Sequence, residues 1–181
     1  MQHIKLFEEY HNSKVELNNF DVKMEGEVQL YHYTKTDLGD KTILSPEESF
    51  ANRLPWSMRE YKRSDVPRVF YYTNLEKTER SIVSLSKFLY TGFVNGSDII
   101  KVSNAIIDYR KNTQELELQF PEVYHSVKEF VDKGSMNYDI LFESVKKYFK
   151  GAYYKFENGM EVVILFQPLE VYKIDFVKYK E

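Results

Sequence analysis

Apolar and polar positions alternate with a period of two from Glu27 to Thr34, where Val28, Leu30 and His32 interleave with Gln29, Tyr31 and Tyr33. That period predicts a strand carrying His32 on the face of two aliphatic side chains. Val69-Phe70-Tyr71-Tyr72-Thr73 is β-branched and aromatic throughout and predicts a second strand. Thr73 and Glu76 have the spacing of a capping box, so a helix is expected to follow at once and to run to about Ser84. Residues 86–94 predict a further strand. Residues 169–179 predict a last one, with Val171 facing away from Tyr172, Ile174 and Phe176. Residues 97–119 have no clear period.

Helical spacing dominates elsewhere. Pro121 opens a helix with Val123, Val127, Phe130 and Val131 on one side and Gly134 past its end; Leu141, Val145, Tyr148 and Phe149 repeat the pattern before Gly151. Ser45-Pro46-Glu47-Glu48 places a serine at an N-cap, proline at the first helical position and Glu48 three residues after the cap. A short helix to about Arg53 is expected there. Ile4, Phe7 and His11 predict an uncapped amphipathic helix over 3–20, an N-terminal extension within residues 1–25. Asn158-Gly159 separates two apolar runs and predicts a hairpin closed by a two-residue type I′ turn. That turn pairs Glu157 with Met160 and Phe156 with Glu161, so a carboxylate opens the apolar strand Glu-Val-Val-Ile-Leu-Phe. Residues 53–68 hold two prolines, five basic side chains and the only Trp, and read as a functional loop.

Strands mixed with helices, no internal repeat and no linker predict a single α+β domain over 1–181. A hydrophobic fraction of 43% with 29% charged residues is the composition of a packed globule and excludes disorder as the main state. The net charge of −3 supplies no global positive field for nucleic acid or an anionic membrane. The N-terminus lacks a basic region followed by an apolar stretch and no 18 apolar residues run together, so a protein without membrane contact is expected. Zero Cys removes thiol chemistry and favours a reducing compartment, a bacterial or phage-infected cytoplasm. His3, His11, His32 and His125 are widely separated, and no metal site is expected. Phosphate-loop and dinucleotide glycine motifs are missing from the sequence, so nucleotide binding by those routes is unsupported.

The order of three short segments carries more. Leu30-Tyr31-His32-Tyr33-Thr34, Val69-Phe70-Tyr71-Tyr72-Thr73 and Met160-Glu161-Val162-Val163-Ile164-Leu165 resemble the His-Tyr-Glu motif series of the ADP-ribosyltransferase superfamily, which includes poly(ADP-ribose) polymerases and diphtheria-toxin-like enzymes. The segments Val66 to Phe70 and Lys150 to Tyr154 are similar to transferase-like modules of phage and bacterial proteins. The resemblance covers most of the chain, and its specificity lies in order and context.

It implies split antiparallel β-sheets clasping NAD in a cleft, with flanking helices. It implies that His32 hydrogen-bonds a ribose hydroxyl of NAD, that the backbone at Tyr33 holds the carboxamide, and that Tyr71 stacks on nicotinamide. Glu161 would grip the ribose 2′-hydroxyl, with Thr34 and Arg68 completing the donor site. An electron-rich ring suits the cationic nicotinamide, and a fixed carboxylate suits the positive charge that develops on the ribose as the glycosidic bond breaks. Two departures stand out. Tyr33 occupies a position that is commonly Gly in the family, and Tyr72 replaces Tyr71 as the stacking residue if the strand register slips by one.

The expected function is therefore mono-ADP-ribosyl transfer from NAD to a macromolecular acceptor, protein or nucleic acid, that the sequence does not identify. Arg53, Arg59, Arg63 and Arg68 are candidate contacts for donor phosphates or the acceptor, because guanidinium pairs with phosphate in a bidentate fork. Two alternatives stay open: a non-catalytic module that binds a nucleotide or a peptide in the same cleft, and an enzyme similar to tRNA 2′-phosphotransferase.

Overall fold

The alternation at Glu27–Thr34 becomes strand β1 in a computed structural model that describes residues 22–51, 65–76, 78, 80–103, 105, 115–133, 138–155 and 159–175. The expected helix over 3–20, Arg53, Arg59, Arg63, Phe156, Glu157, Asn158 and Phe176 lie outside the described residues. In chain order follow β2 (Lys41–Leu44), α1 (Pro46–Ala51), β3 (Val69–Tyr72), α2 (Arg80–Leu85), β4 (Phe88–Asn95), a 3-10 turn (Gly96–Asp98) and β5 (Ile99–Lys101). The C-terminal part adds α3 (Glu115–Gln119), α4 (Pro121–Lys133), α5 (Tyr138–Lys146), β6 (Gly151–Lys155), β7 (Glu161–Leu165) and β8 (Leu169–Ile174).

The architecture is α+β, with one eight-stranded sheet in the order β2-β8-β4-β1-β3-β7-β6-β5. Its pairs are antiparallel except for β5 and β6, which run parallel. Cohesion within the sheet is uneven. β1 pairs with β4 along its whole length, from Glu27↔Asn95 to Thr34↔Phe88, but meets β3 at a single pair, Tyr31↔Tyr72. The halves β2-β8-β4-β1 and β3-β7-β6-β5 thus share one point of backbone pairing.

Side chains supply what the backbone does not. One face of the sheet gathers Val28, Leu30, Leu44, Val69, Tyr71, Tyr90, Val94, Ile99, Val163, Leu165 and Val171 into one core that draws on both halves. The opposite face of the β3-β7-β6-β5 half carries Ala152, Val162 and Ile164, against which the helices pack Leu116, Val123, Val127, Leu141 and Val145. Burying an apolar side chain of that size is worth about 1.5–3 kcal/mol, so both helix stripes have sufficient reason to dock. The predicted stripes of α4 and α5 correspond to this contact, except that α5 ends at Lys146 and leaves Tyr148 exposed.

Two local expectations are corrected. Thr73 does not cap a helix; its hydroxyl donates to Glu161 across the sheet, and the side chain of Asn74 accepts the Glu76 amide instead. A turn therefore follows β3, and α2 begins only at Arg80. At α1 the expected helix starts at Pro46, and the Ser45 hydroxyl donates to the Glu47 carboxylate at 2.9 Å. The second correction bears on the site. β6 and β7 pair as Tyr154↔Val162 and Lys155↔Glu161, one residue off the register of a two-residue turn. The connection then has an odd number of residues, and Gly159 at φ +81° takes the left-handed conformation that such a loop requires.

Candidate functional site

β1, β3 and β7 are consecutive in the sheet, and alternation sets the direction of their side chains. His32 shares the face of Val28 and Leu30, Tyr71 that of Val69, and Glu161 that of Val163 and Leu165; all these aliphatic residues belong to the core common to both halves. The three predicted residues therefore project from one face of the sheet. Tyr71 pairs with Val163, and Glu161 lies two residues along β7 on the same side. The ring of His32 sits 5.6 Å from that of Tyr71, tilted by 56°.

The imidazole occupies the place where β1 and β3 part. Past Tyr31↔Tyr72 the backbone pairing stops, and the Nδ1–H of His32 donates to the Phe70 carbonyl at 3.0 Å. A side chain thus bonds a strand carbonyl at the point where the β1–β3 ladder ends. This bond fixes the tautomer: the proton is on Nδ1, and Nε2 carries the lone pair. Burial holds the His32 pKa below its ordinary 6.5, against the upward pull of the Phe70 carbonyl.

A pH dependence follows. Below 6.5 the unfolded chain binds a proton that the folded chain refuses, so the contribution of neutral His32 is full above 6.5. It is lost as the pH falls from there through the lower folded-state value. His32→Gln, whose amide retains a donor for Phe70, is expected to flatten the decline in melting temperature between about pH 7 and about pH 5. An unchanged decline would assign the acid sensitivity to other groups.

Tyr71 has no exposed surface, and its buried hydroxyl has no hydrogen-bond partner among the described residues. Burial pushes this phenol far above the usual tyrosine range. An unsatisfied buried hydroxyl costs about 1–3 kcal/mol. Tyr71→Phe is therefore expected to raise the melting temperature of the ligand-free protein by about 2–4 °C for each kcal/mol recovered. A lower melting temperature in that variant would mean that the hydroxyl stabilises the ligand-free fold.

Glu161 is held from two sides. Thr73 Oγ1 donates to its Oε2 at 3.1 Å, and the Thr73 amide donates to the Glu161 carbonyl at 3.2 Å. Lys155 Nζ stands 3.6 Å from Oε1; the lysine side chain is 46% exposed and that of Glu161 20%. Sequence reasoning missed both Thr73 and Lys155. Each becomes visible only in the observed register, which sets Lys155 directly across from Glu161.

Of the other candidates, Tyr33, Tyr72 and Arg68 stand on the opposite side of the sheet, and Thr34 follows His32 on its own face. Tyr33 and Tyr72 meet edge to face at 5.6 Å and pack against the helix-covered core, on the side opposite His32. Tyr71, and not Tyr72, shares a face with His32 and Glu161. Thr34 ends β1, where its carbonyl accepts the Lys87 amide at 2.9 Å and its hydroxyl accepts the Thr36 amide at 3.1 Å. Arg68 is only 3% exposed; it donates to the Val66 carbonyl and stacks against Phe70 and Phe142 at 5.6 and 5.3 Å. Its guanidinium packs with the helices rather than beside His32.

A tether positions the segment that leaves the site. The Tyr90 hydroxyl, on β4 across from His32, donates to Asp37 at 3.0 Å and accepts the Leu38 amide at 2.7 Å, while Lys173 pairs with Asp37 at 2.7 Å. The β1–β2 connection is thereby bound to β4 and β8.

No helix among the described residues is long and apolar enough to cross a membrane. Comparison of the chain with protein families, with curated proteins and with solved structures finds no match.

Proposed function

We propose that the chain is a mono-ADP-ribosyltransferase of the His-Tyr-Glu type, which cleaves the nicotinamide–ribose bond of NAD and transfers ADP-ribose to a macromolecular acceptor. The observation that carries this reading is the placement of His32, Tyr71 and Glu161 on one face of three consecutive strands, at the point where β1 and β3 separate. Nothing in composition demands that convergence, since the residues are far apart along the chain.

In this reading the lone pair on His32 Nε2 accepts a ribose hydroxyl of the donor. The backbone at Tyr33 faces the carboxamide, and its ring does not crowd that position because it packs on the other side of the sheet. The C1′–N1 bond breaks, and its electron pair leaves with nicotinamide and neutralises the ring. Positive charge develops on the ribose beside Glu161, and the acceptor's nucleophile then forms the new bond to C1′ and gives up its proton to solvent. A carboxylate fixed by Thr73 costs no reorganisation at that moment, which is how preorganised charge accelerates a reaction. Tyr71 supports the His32 ring; its hydroxyl is the polar atom that awaits a partner. Stacking nicotinamide on its face requires that face to be uncovered first.

That burial favours a second reading, a module of the same shape that binds a nucleotide without turning it over. One assay separates them. Incubation of the purified chain with NAD should release nicotinamide. Thermal stabilisation by NAD with no release would establish the binding module, and neither effect would discard both readings.

A further inference from the structure

The lysine opposite Glu161 is not required by the chemistry just described, and electrostatics sets it against that chemistry. A carboxylate lowers the barrier by attracting the charge that grows on the ribose, whereas an ammonium 3.6 Å from one of its oxygens offsets that attraction. The pairing is built into the hairpin. With a two-residue turn, Phe156 would stand across from Glu161; the observed register places Lys155 there, on the same face of adjacent strands.

We propose that Lys155 is an electrostatic brake on Glu161, so that the resting site presents a partly neutralised carboxylate and turnover is slower than the carboxylate alone would support. The inference rests on the reading of Glu161 as the group that stabilises the ribose cation. The lysine side chain is 46% exposed, so solvent screens the pair and the brake is partial. Thr73 does not share this effect. Its hydroxyl is neutral and orients Oε2 without cancelling the charge.

The test compares the kinetics of nicotinamide release in the wild type, Lys155→Met and Lys155→Arg, with circular dichroism and melting temperature as controls for folding. Lys155→Met is expected to raise kcat about two- to five-fold with KM unchanged, the range of a half-exposed ion pair. Lys155→Arg should behave as the wild type does. Salt provides an independent readout that a purely structural lysine would not alter. Raising ionic strength from about 50 mM to about 500 mM shortens the range of the ammonium's field and should increase kcat of the wild type but not of Lys155→Met. An active wild type with unchanged or reduced kcat in Lys155→Met overturns the brake alone. A folded wild type that releases no nicotinamide overturns the transferase reading, and the brake with it.

Discussion

Glu161→Gln is expected to reduce nicotinamide release from NAD by at least ~10²-fold in kcat, with little change in KM. The amide has the size of the carboxylate and keeps an oxygen to accept the Thr73 hydroxyl, which is 3.1 Å from Oε2 in the native protein. It keeps the contact and removes the charge. Loss of an interaction that matters only as charge develops lowers kcat and kcat/KM together, whereas a damaged binding site would raise KM. Steady-state kinetics on a variant with an unaltered melting temperature checks the prediction. An unchanged rate would remove Glu161 from the mechanism.

Gly151→Ala is expected to cost about 3 kcal/mol of stability, which in a chain of this size lowers the melting temperature by about 6–12 °C. Gly151 pairs with Ile99 on one side and Leu165 on the other, within the half-sheet that supports Glu161. A β-carbon there would stand 2.5 Å from the Ile164 carbonyl oxygen, 2.6 Å from Leu165 Cδ2 and 3.0 Å from Ile99 Cδ1. The first neighbour is backbone in the middle of a ladder and cannot move without pulling β7 from β3. Differential scanning calorimetry measures the shift; a drop of under about 2 °C would mean that the strands yield more readily than close packing allows.

The elements that the chain announced most clearly are those whose signal is local. Alternation in β1, the apolar run of β7 and the stripes of α4 and α5 each depend on residues a few positions apart, and alternation was enough to assign a face to His32, while the choice between Tyr71 and Tyr72 needed the strand pairing. Legibility failed where one side chain had two competing uses. Thr73 has the right spacing to cap a helix, but its amide and hydroxyl both donate to Glu161 across the sheet, so the strand pairing carries on through it. The hairpin was misregistered for a related reason. Asn-Gly suits both a two-residue turn and a longer loop with Gly159 at positive φ, and only pairing along the strands chooses between them. That single residue of register concealed Lys155. The burial of Tyr71 was not legible at all, because it arises from elements remote in sequence, and an aromatic strand has the same pattern whether or not its rings can reach a ligand.

The lone backbone pair between β1 and β3 has a consequence for occupancy. Beyond it, one imidazole joins the halves through Nδ1, and in the proposed donor site it also meets the ligand through Nε2, so the same ring would serve as both seam and receptor. A molecule that grips the ring stiffens the junction, and isotope exchange at the amides bordering the parting should slow on binding in proportion to how firmly that ring is held.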